Sequence, residues 1–96
     1  MKKVLIAGAA GAMGQKAVEL VNSLPDVQLT AVLAPHLVAD QAAQYHLDAT
    51  VKVYHQLADI ENGVADVWID FTLPDAVYEN VKFAIQHGMR PIVGTT

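Results

Sequence analysis

Three glycines at regular spacing stand close to the amino terminus of the chain. Gly8, Gly11 and Gly14 lie three residues apart, directly after the apolar run at 4–6 and directly before a helical pattern. Glycine lets the backbone approach a ligand closely and adopt dihedral angles that other residues avoid. Where such a loop opens a helix, its N–H groups and the positive end of the helix dipole face an anion. The spacing G-x-x-G-x-x-G is a variant of the dinucleotide-binding fingerprint and predicts a pyrophosphate site.

Two further segments with unusual composition each follow an apolar strand pattern. The first is DFTLP at 70–74, and the second is GTT at 94–96. The carboxyl ends of parallel strands meet at one edge of a sheet, which is where ligands bind in open α/β folds. We therefore expect both segments to converge with the glycine loop.

Strand and helix patterns alternate along the chain and position these segments. The predicted strands cover residues 3–7, 27–33, 51–54, 67–71 and 91–93, and the predicted helices cover 12–23 and 74–87. A short helix at 37–45 and a helical turn at 57–62 are further predictions. This alternation predicts an α/β fold, a Rossmann-like doubly wound parallel sheet in three αβα layers.

Apolar spacing also predicts which face of each helix is buried. The predicted buried face of the first helix consists of Met13, Ala17, Leu20, Val21 and Leu24. That of the second consists of Val77, Val81, Ala84 and Ile85. Thr72 and Asp75 have the spacing of a capping box at the start of the second helix, and Gly88 is expected to close it.

Composition excludes several classes of function. A length of 96 residues allows one domain, and a hydrophobic fraction of 53% suffices for a packed core. The net charge of −4 argues against a nucleic-acid partner, and the absence of cysteine excludes disulfides and thiolate metal sites. The apolar run at 4–8 is too short for a membrane span. The histidines lack metal-ligand spacing, so no metal is expected.

The motifs of the chain resemble those of a known enzyme family. GAAGAMG at 8–14, IDFTLP at 69–74 and VGTT at 93–96 stand in the order and spacing of dihydrodipicolinate reductase, an enzyme of bacterial diaminopimelate and lysine biosynthesis. The resemblance spans essentially the whole chain and implies an NAD(P)-binding Rossmann domain. In that family a second domain follows, which binds substrate and forms a homotetramer. The resemblance therefore implies an oxidoreductase whose catalytic residues lie beyond residue 96, and the absence of cysteine fits a cytoplasmic location.

The same resemblance implies roles for individual residues toward NADPH or NADH. The residues implied to bind the pyrophosphate are Gly8, Ala9, Ala10, Gly11, Ala12 and Met13, while Gly14 serves close helix–sheet packing. Phe71 would pack near the nicotinamide, and Thr72 would contact the cofactor through its backbone or hydroxyl. The backbone of Gly94, Thr95 and Thr96 would contact the nicotinamide amide. Asp70 is expected to stabilise the loop backbone rather than act as an acid or base.

The segment after the second strand bears on the choice between NADH and NADPH. Rossmann domains usually place an acidic residue there to bind the adenosine ribose, but this chain has Ala34, Pro35 and His36. His36 is a candidate contact for a 2′-phosphate, and Asp40 is a weaker candidate for the ribose. The preference between the two cofactors stays open.

Alternative interpretations accompany each of these assignments. The glycine loop also fits a tight turn without a ligand, Thr72 an ordinary helix cap, and 94–96 a frayed terminus. The alternatives for the whole protein are the cofactor domain of an aspartate-semialdehyde or homoserine dehydrogenase, or a non-catalytic module that senses dinucleotides. Alone, the 96 residues are expected to bind nucleotide without turning over substrate, and to self-associate through exposed apolar surface.

Overall fold

A computed structural model of the chain describes residues 1–37, 45 and 47–94. Five strands form one sheet in the order β3-β2-β1-β4-β5, and every neighbouring pair is parallel. The strands are β1 (Lys2–Ala7), β2 (Val27–Leu33), β3 (Lys52–Tyr54), β4 (Val67–Asp70) and β5 (Arg90–Val93), and the helices are α1 (Ala12–Ser23) and α2 (Pro74–Gln86), with a 3-10 helix at Leu57–Asp59. The predicted helix at 37–45 lies mostly outside the described residues.

The central strand β1 explains why the sheet is covered on both sides. Four successive residues of β1, from Val4 to Ala7, are buried, as expected for a parallel strand with packing on both faces. Val4 and Ile6 face one core with Val18 of α1, whereas Leu5 and Ala7 face a second core with Ala84 of α2. The two helices therefore lie on opposite faces, which confirms the doubly wound three-layer prediction.

The buried face of α1 differs from its predicted face. Gly14, Val18 and Val21 are buried, whereas Met13 and Leu20 are exposed. The predicted inward positions of Met13, Leu20 and Leu24 were therefore wrong. The physical reason is the close approach of Gly14 to the loop after β1, because this contact orients the helix so that positions 14, 18 and 21 face inward.

Helix α2 is also rotated from its predicted orientation. Its buried residues are Asn80 and Ala84, and Ile85 is exposed. The small Ala84 side chain lets the helix lie close to the sheet, where Phe83 packs against the buried Trp68 with ring centroids 5.9 Å apart. The prediction for Ile85 was wrong because packing on Trp68, rather than the most apolar stripe, sets the inward face.

No helix of the described residues is long and apolar enough to span a membrane.

Candidate functional site

The five strands end in one row across the sheet. Ala7 pairs with both Leu33 and Asp70, while Leu33 pairs with Tyr54 and Asp70 pairs with Val93. The residue after each strand therefore stands at the same edge. These following residues are Gly8, Ala34, His55, Phe71 and Gly94. The expectation that the three unusual segments converge is met for the residues that the structure describes.

The glycine loop and the loop after β4 meet where the winding of the sheet reverses. From β1 the chain passes through α1 toward β2, whereas from β4 it passes through α2 toward β5 on the other side. The two loops lead to opposite faces of the sheet, because α1 and α2 pack on opposite faces. Such a reversal point is the usual ligand site of an open α/β sheet.

Gly8 makes the turn at the start of the glycine loop. Its φ of +84° lies in the left-handed region that favours glycine. Its N–H donates to the Leu33 carbonyl at 2.9 Å, and its carbonyl accepts from the N–H of Gly11 at 3.1 Å. A Cβ at position 8 would lie 2.9 Å from the Phe71 carbonyl carbon and oxygen. The loop after β4 can therefore lie directly against Gly8 only because residue 8 is glycine.

Helix α1 presents an amino terminus suited to an anion, whereas α2 does not. Gly11 caps α1 without a side-chain hydrogen bond, and the first turn contains no acidic residue. The first N–H groups of a helix have no acceptor within it and carry the positive end of its dipole. In contrast, α2 begins with Pro74, which lacks an N–H, and has Asp75 in its first turn. An anionic ligand at this edge therefore fits α1.

The remaining residues of the loop differ in exposure. The Ala9 side chain is buried in the core, and the carbonyl of Ala10 accepts from the Gln15 side-chain amide at 2.9 Å. Ala12 and Met13 are exposed in the first turn of α1. Ala9 is buried as a whole residue, so the parts of this loop that a ligand can reach begin at Ala10.

Asp70 and Thr72 form a hydrogen-bonded cluster directly behind the loop after β4. The Asp70 carboxylate accepts from the backbone N–H of Thr72 at 2.8 Å and from the Thr72 hydroxyl. Leu73, not Thr72, is the capping residue of α2, and it makes no side-chain cap. The capping-box prediction was therefore wrong, because Pro74 takes the first helical position and moves the cap one residue along.

Phe71 and Gly94 are brought together at the end of the neighbouring strands β4 and β5. A Cβ built on Gly94 would overlap the Phe71 ring, with 2.8 Å to its Cδ1 atom. The Gly94 N–H donates to the Asp70 carbonyl at 2.8 Å. Glycine at position 94 thus leaves the space that the half-buried Phe71 ring occupies. Thr95 and Thr96 lie outside the described residues.

The segment after β2 lies beside the end of β3. Ala34 is buried and donates its N–H to the Tyr54 carbonyl at 2.9 Å, whereas His36 is exposed. His55, which follows β3, donates from Nε2 to the Leu37 carbonyl at 2.7 Å. Two imidazoles therefore belong to this end of the edge, and His36 is the polar side chain of 34–37 that a ligand can reach. Asp40 lies outside the described residues.

The sequence analysis assigned no role in the site to Asn80 or His55. Asn80 is a buried polar residue of α2, and its side-chain amide donates to the Thr72 hydroxyl at 3.2 Å. The sequence feature that could have identified Asn80 as buried is its position four residues before Ala84, on the same face of the helix. The signal for His55 was its position immediately after a predicted strand.

The pKa values of Lys52 and Tyr54 in β3, and of Glu61 beside them, are shifted from their usual values. Burial raises the pKa of Tyr54. A hydrogen bond of 2.7 Å from Lys52 lowers the pKa of Glu61, and the same bond raises that of Lys52. Among the residues that the structure describes, no group of three or more potential ligands could hold a metal ion.

Comparison with known proteins gives matches along the whole chain. Residues 2–96 match the family described as dihydrodipicolinate reductase, N-terminus. The 4-hydroxy-tetrahydrodipicolinate reductase of Lactobacillus helveticus (strain DPC 4571) is 57% identical over 95 residues. This match covers 99% of the present chain and 36% of that relative. The chain therefore spans little more than a third of the length of this relative.

Solved structures have the same fold. The dipicolinate-bound dihydrodipicolinate reductase from Paenisporosarcina sp. TG-14 superposes with a TM-score of 0.82 at 32% identity, covering 100% of the present chain and 38% of that protein. The WlbA dehydrogenase from Thermus thermophilus, in complex with NAD and UDP-GlcNAcA, superposes with a TM-score of 0.75 at 13% identity. It covers 97% of the present chain and 32% of that protein, and at this identity the likeness concerns the fold alone.

Proposed function

We propose, from the premise that this chain belongs to the family of dihydrodipicolinate reductase N-terminal domains, that it binds NADH or NADPH for the reduction of 4-hydroxy-tetrahydrodipicolinate. The match to the Lactobacillus helveticus relative supports this substrate, since that relative is named for it. The match covers only 36% of that relative, so the complete reaction is part of the proposal. The same proposal includes cytoplasmic location, a homotetrameric full-length protein and a role in lysine and diaminopimelate biosynthesis.

The observation that carries this proposal is the meeting of three segments at one edge of the sheet. Gly8 lies against the backbone of Phe71, and Gly94 lies against the Phe71 ring. In both places a Cβ would collide with the neighbouring segment. Glycine is therefore needed where the loops approach one another. Gly11 is less crowded, because the nearest atom to its Cβ position is the Gly8 carbonyl oxygen at 3.5 Å.

The glycine loop has the properties that a pyrophosphate requires. In this proposal the backbone N–H groups of Ala10, Ala12 and Met13 face the phosphate oxygens, since the Gly11 N–H already donates to the Gly8 carbonyl. The α1 dipole adds a favourable field. Side chains contribute little to this contact, which explains why alanine and methionine occupy the loop. Gly11 allows the closest approach of backbone to phosphate.

The loops after β4 and β5 would orient the nicotinamide half of the cofactor. Phe71 supplies an apolar surface, Thr72 supplies polar backbone and hydroxyl groups, and Gly94 with Thr95 and Thr96 supplies backbone contacts. The bound cofactor supplies the hydride, which it gives to an unsaturated substrate. The part of this chain is to hold and orient the ring, and the groups that bind the substrate carboxylates and donate protons are expected in the remainder of the protein.

The adenosine end of the proposed site leaves both cofactors acceptable. No carboxylate among residues 34–37 would repel a 2′-phosphate, and no arginine would attract one. His36 is exposed at this end of the site and is the proposed contact for a 2′-phosphate, while the preference between NADH and NADPH stays open.

Calorimetric titration of the chain with NADH and with NADPH tests the proposed function. Binding of either cofactor with one site per chain supports it. A chain that is folded by circular dichroism but binds neither cofactor contradicts it. The control is the single substitution Gly11→Ala, which adds one methyl group where the pyrophosphate must approach and which the fold can accommodate.

A further inference from the structure

Asp70 is fully buried at the end of β4 and holds three hydrogen-bond donors. Its Oδ1 accepts from the Thr72 N–H at 2.8 Å and from the Thr72 hydroxyl, while its Oδ2 accepts from Trp68 Nε1 at 3.1 Å. An ionised carboxylate only accepts hydrogen bonds, so it matches three donors without leaving one unpaired. Removing such an acceptor from a buried site costs the full desolvation of each donor.

The Thr72 hydroxyl is held from a second direction by α2. The Asn80 amide, which is 5% exposed, donates to Thr72 Oγ1 at 3.2 Å. The hydroxyl therefore donates to Asp70 and accepts from Asn80, so both its rotamer and the direction of its lone pairs are determined. Thr72 is fixed between a strand and a helix before any ligand arrives.

Asp70 also anchors the two neighbouring segments through its place in the backbone. Its carbonyl accepts from the Gly94 N–H at 2.8 Å, and the next residue, Phe71, donates its N–H to the Ala7 carbonyl at 2.9 Å. The Phe71 ring in turn lies against Gly94. One buried residue thus connects the two loops that are proposed to contact the nicotinamide, whereas the pyrophosphate loop has its own turn at Gly8.

We propose that Asp70 is a positioning residue that orients Phe71 and Thr72 for the nicotinamide half of the cofactor, with Asn80 as its second anchor. This inference rests on the proposed function and deepens it. Asp70 does not touch the cofactor, because its side chain is buried beneath the loop. Its effect is therefore confined to ligands that extend from the pyrophosphate to the nicotinamide.

The test compares NADH with ADP-ribose, which lacks the nicotinamide ring, in titrations of wild-type chain and Asp70→Asn. Asparagine has an NH₂ group in place of one carboxylate oxygen, so a donor would face the donor of Thr72 or of Trp68. We expect Asp70→Asn to bind NADH about tenfold more weakly, the size of one lost hydrogen bond to a charged group, and ADP-ribose with unchanged affinity. An equal loss for both ligands would show a general structural defect and overturn the inference, as would unchanged NADH binding.

A second variant and a matched control keep the test decisive. Asn80→Ala removes only the hydrogen bond from Asn80 to the Thr72 hydroxyl. We expect about a threefold loss of affinity for NADH alone, because a neutral hydrogen bond contributes less. If Asp70→Asn does not fold, the ratio of NADH to ADP-ribose affinity in Asn80→Ala decides. Thr30→Val removes a hydroxyl bond of 2.7 Å to the Val64 carbonyl near the opposite edge and should leave both affinities unchanged.

The failure of this inference can be told apart from the failure of the proposed function. A folded wild-type chain that binds neither NADH nor ADP-ribose contradicts the proposed function and the inference with it. A wild-type chain that binds both, together with variants that show no selective loss for NADH, contradicts the role of Asp70 alone.

Discussion

The carbonyl oxygen of Gly8 occupies the space that a side chain at position 14 would fill. A Cβ built on Gly14 would overlap that oxygen and would lie 2.7 Å from the Gly8 carbonyl carbon and 2.8 Å from the Ala9 Cα. The first turn of α1 therefore lies directly on the loop that follows β1. The spacing between these two glycines is a packing requirement, separate from any contact with a ligand.

Gly14→Ala is expected to destabilise the fold. The new methyl group would meet backbone atoms, which cannot move without shifting α1 from the sheet. We expect a loss of about 2–3 kcal/mol in the free energy of unfolding, measured by urea denaturation. A loss below about 0.5 kcal/mol, the range of ordinary surface substitutions, would contradict the close contact.

Gly11→Ala is expected to have the opposite profile. The nearest atom to a Cβ at position 11 is the Gly8 carbonyl oxygen at 3.5 Å, an ordinary contact distance. We expect the free energy of unfolding to stay within about 1 kcal/mol of wild type, since a weaker helix cap and a stiffer unfolded chain offset each other. NADH affinity should fall about tenfold, because the methyl group stands where the pyrophosphate approaches.

The two alanine variants serve as controls for one another. Both add one methyl group to the same glycine-rich segment, 8–14, so a difference between them reports what the methyl group contacts. If Gly11→Ala retained full NADH affinity, the loop would be a tight turn without a pyrophosphate site.

The ion pair between Lys52 and Glu61 is expected to give a specific pH dependence. The hydrogen bond from Lys52 lowers the pKa of Glu61 below 4.5, and a bond of 3.2 Å from the Tyr54 hydroxyl lowers it further. A lowered pKa in the folded state means that the contribution to stability is present above pH 4.5 and is lost as pH falls through the folded-state pKa. At high pH it is lost as Lys52 deprotonates, above 10.5, because its pKa is raised.

A carbon-detected NMR titration of the Glu61 carboxyl group measures this effect directly. Lys52→Met should move the pKa of Glu61 back toward 4.5, and Tyr54→Phe should move it in the same direction by less. Added salt should shrink the difference between wild type and Lys52→Met, because the pair is exposed. An unchanged Glu61 pKa in Lys52→Met would contradict the pair in solution.

Exposed apolar side chains beside α1 predict that the chain self-associates. A groove between α1 and the sheet is lined by apolar residues from both, namely Leu20, Leu24, Val67, Ile69 and Ile92. Leu20 and Ile92 are each at least half exposed. Since burial of such surface is favourable, we expect the mean mass in sedimentation equilibrium to rise with concentration.

Substitution within the groove tests this expectation. Ile92→Lys should shift the association to higher concentration, whereas Leu73→Lys, an equally polar change at an exposed residue outside the groove, should not. A strictly monomeric wild-type chain at all concentrations would contradict the prediction.

Much of the fold could be predicted from local sequence. The bounds of α1 and β2 agree with the predicted 12–23 and 27–33. Strand β4 ends one residue before its predicted end, and α2 ends one residue earlier than expected, at Gln86. These elements were accessible because continuous apolar runs, helix-breaking proline and glycine spacing act over a few neighbouring residues.

The buried face of each helix could not be predicted in the same way. The apolar stripe containing Met13 and Leu20 predicted the inward face of α1, yet both residues are exposed. A stripe of large side chains is a good guide only when they can reach the core. Here the smallest residues determine which faces are buried. Gly14 lets α1 lie on the loop after β1, and Ala84 lets α2 lie close to the sheet.

The sequence by itself determined the order of strands and helices, the turn at Gly8 and the family to which the motifs belong, because each depends on residues that are close along the chain. Only the tertiary structure decided that Asp70 and Asn80 share the Thr72 hydroxyl, and that Phe71 fills the space left at Gly94. Those contacts depend on strand register and helix rotation. Both are set by packing between segments far apart in sequence, and a local sequence pattern does not contain this information.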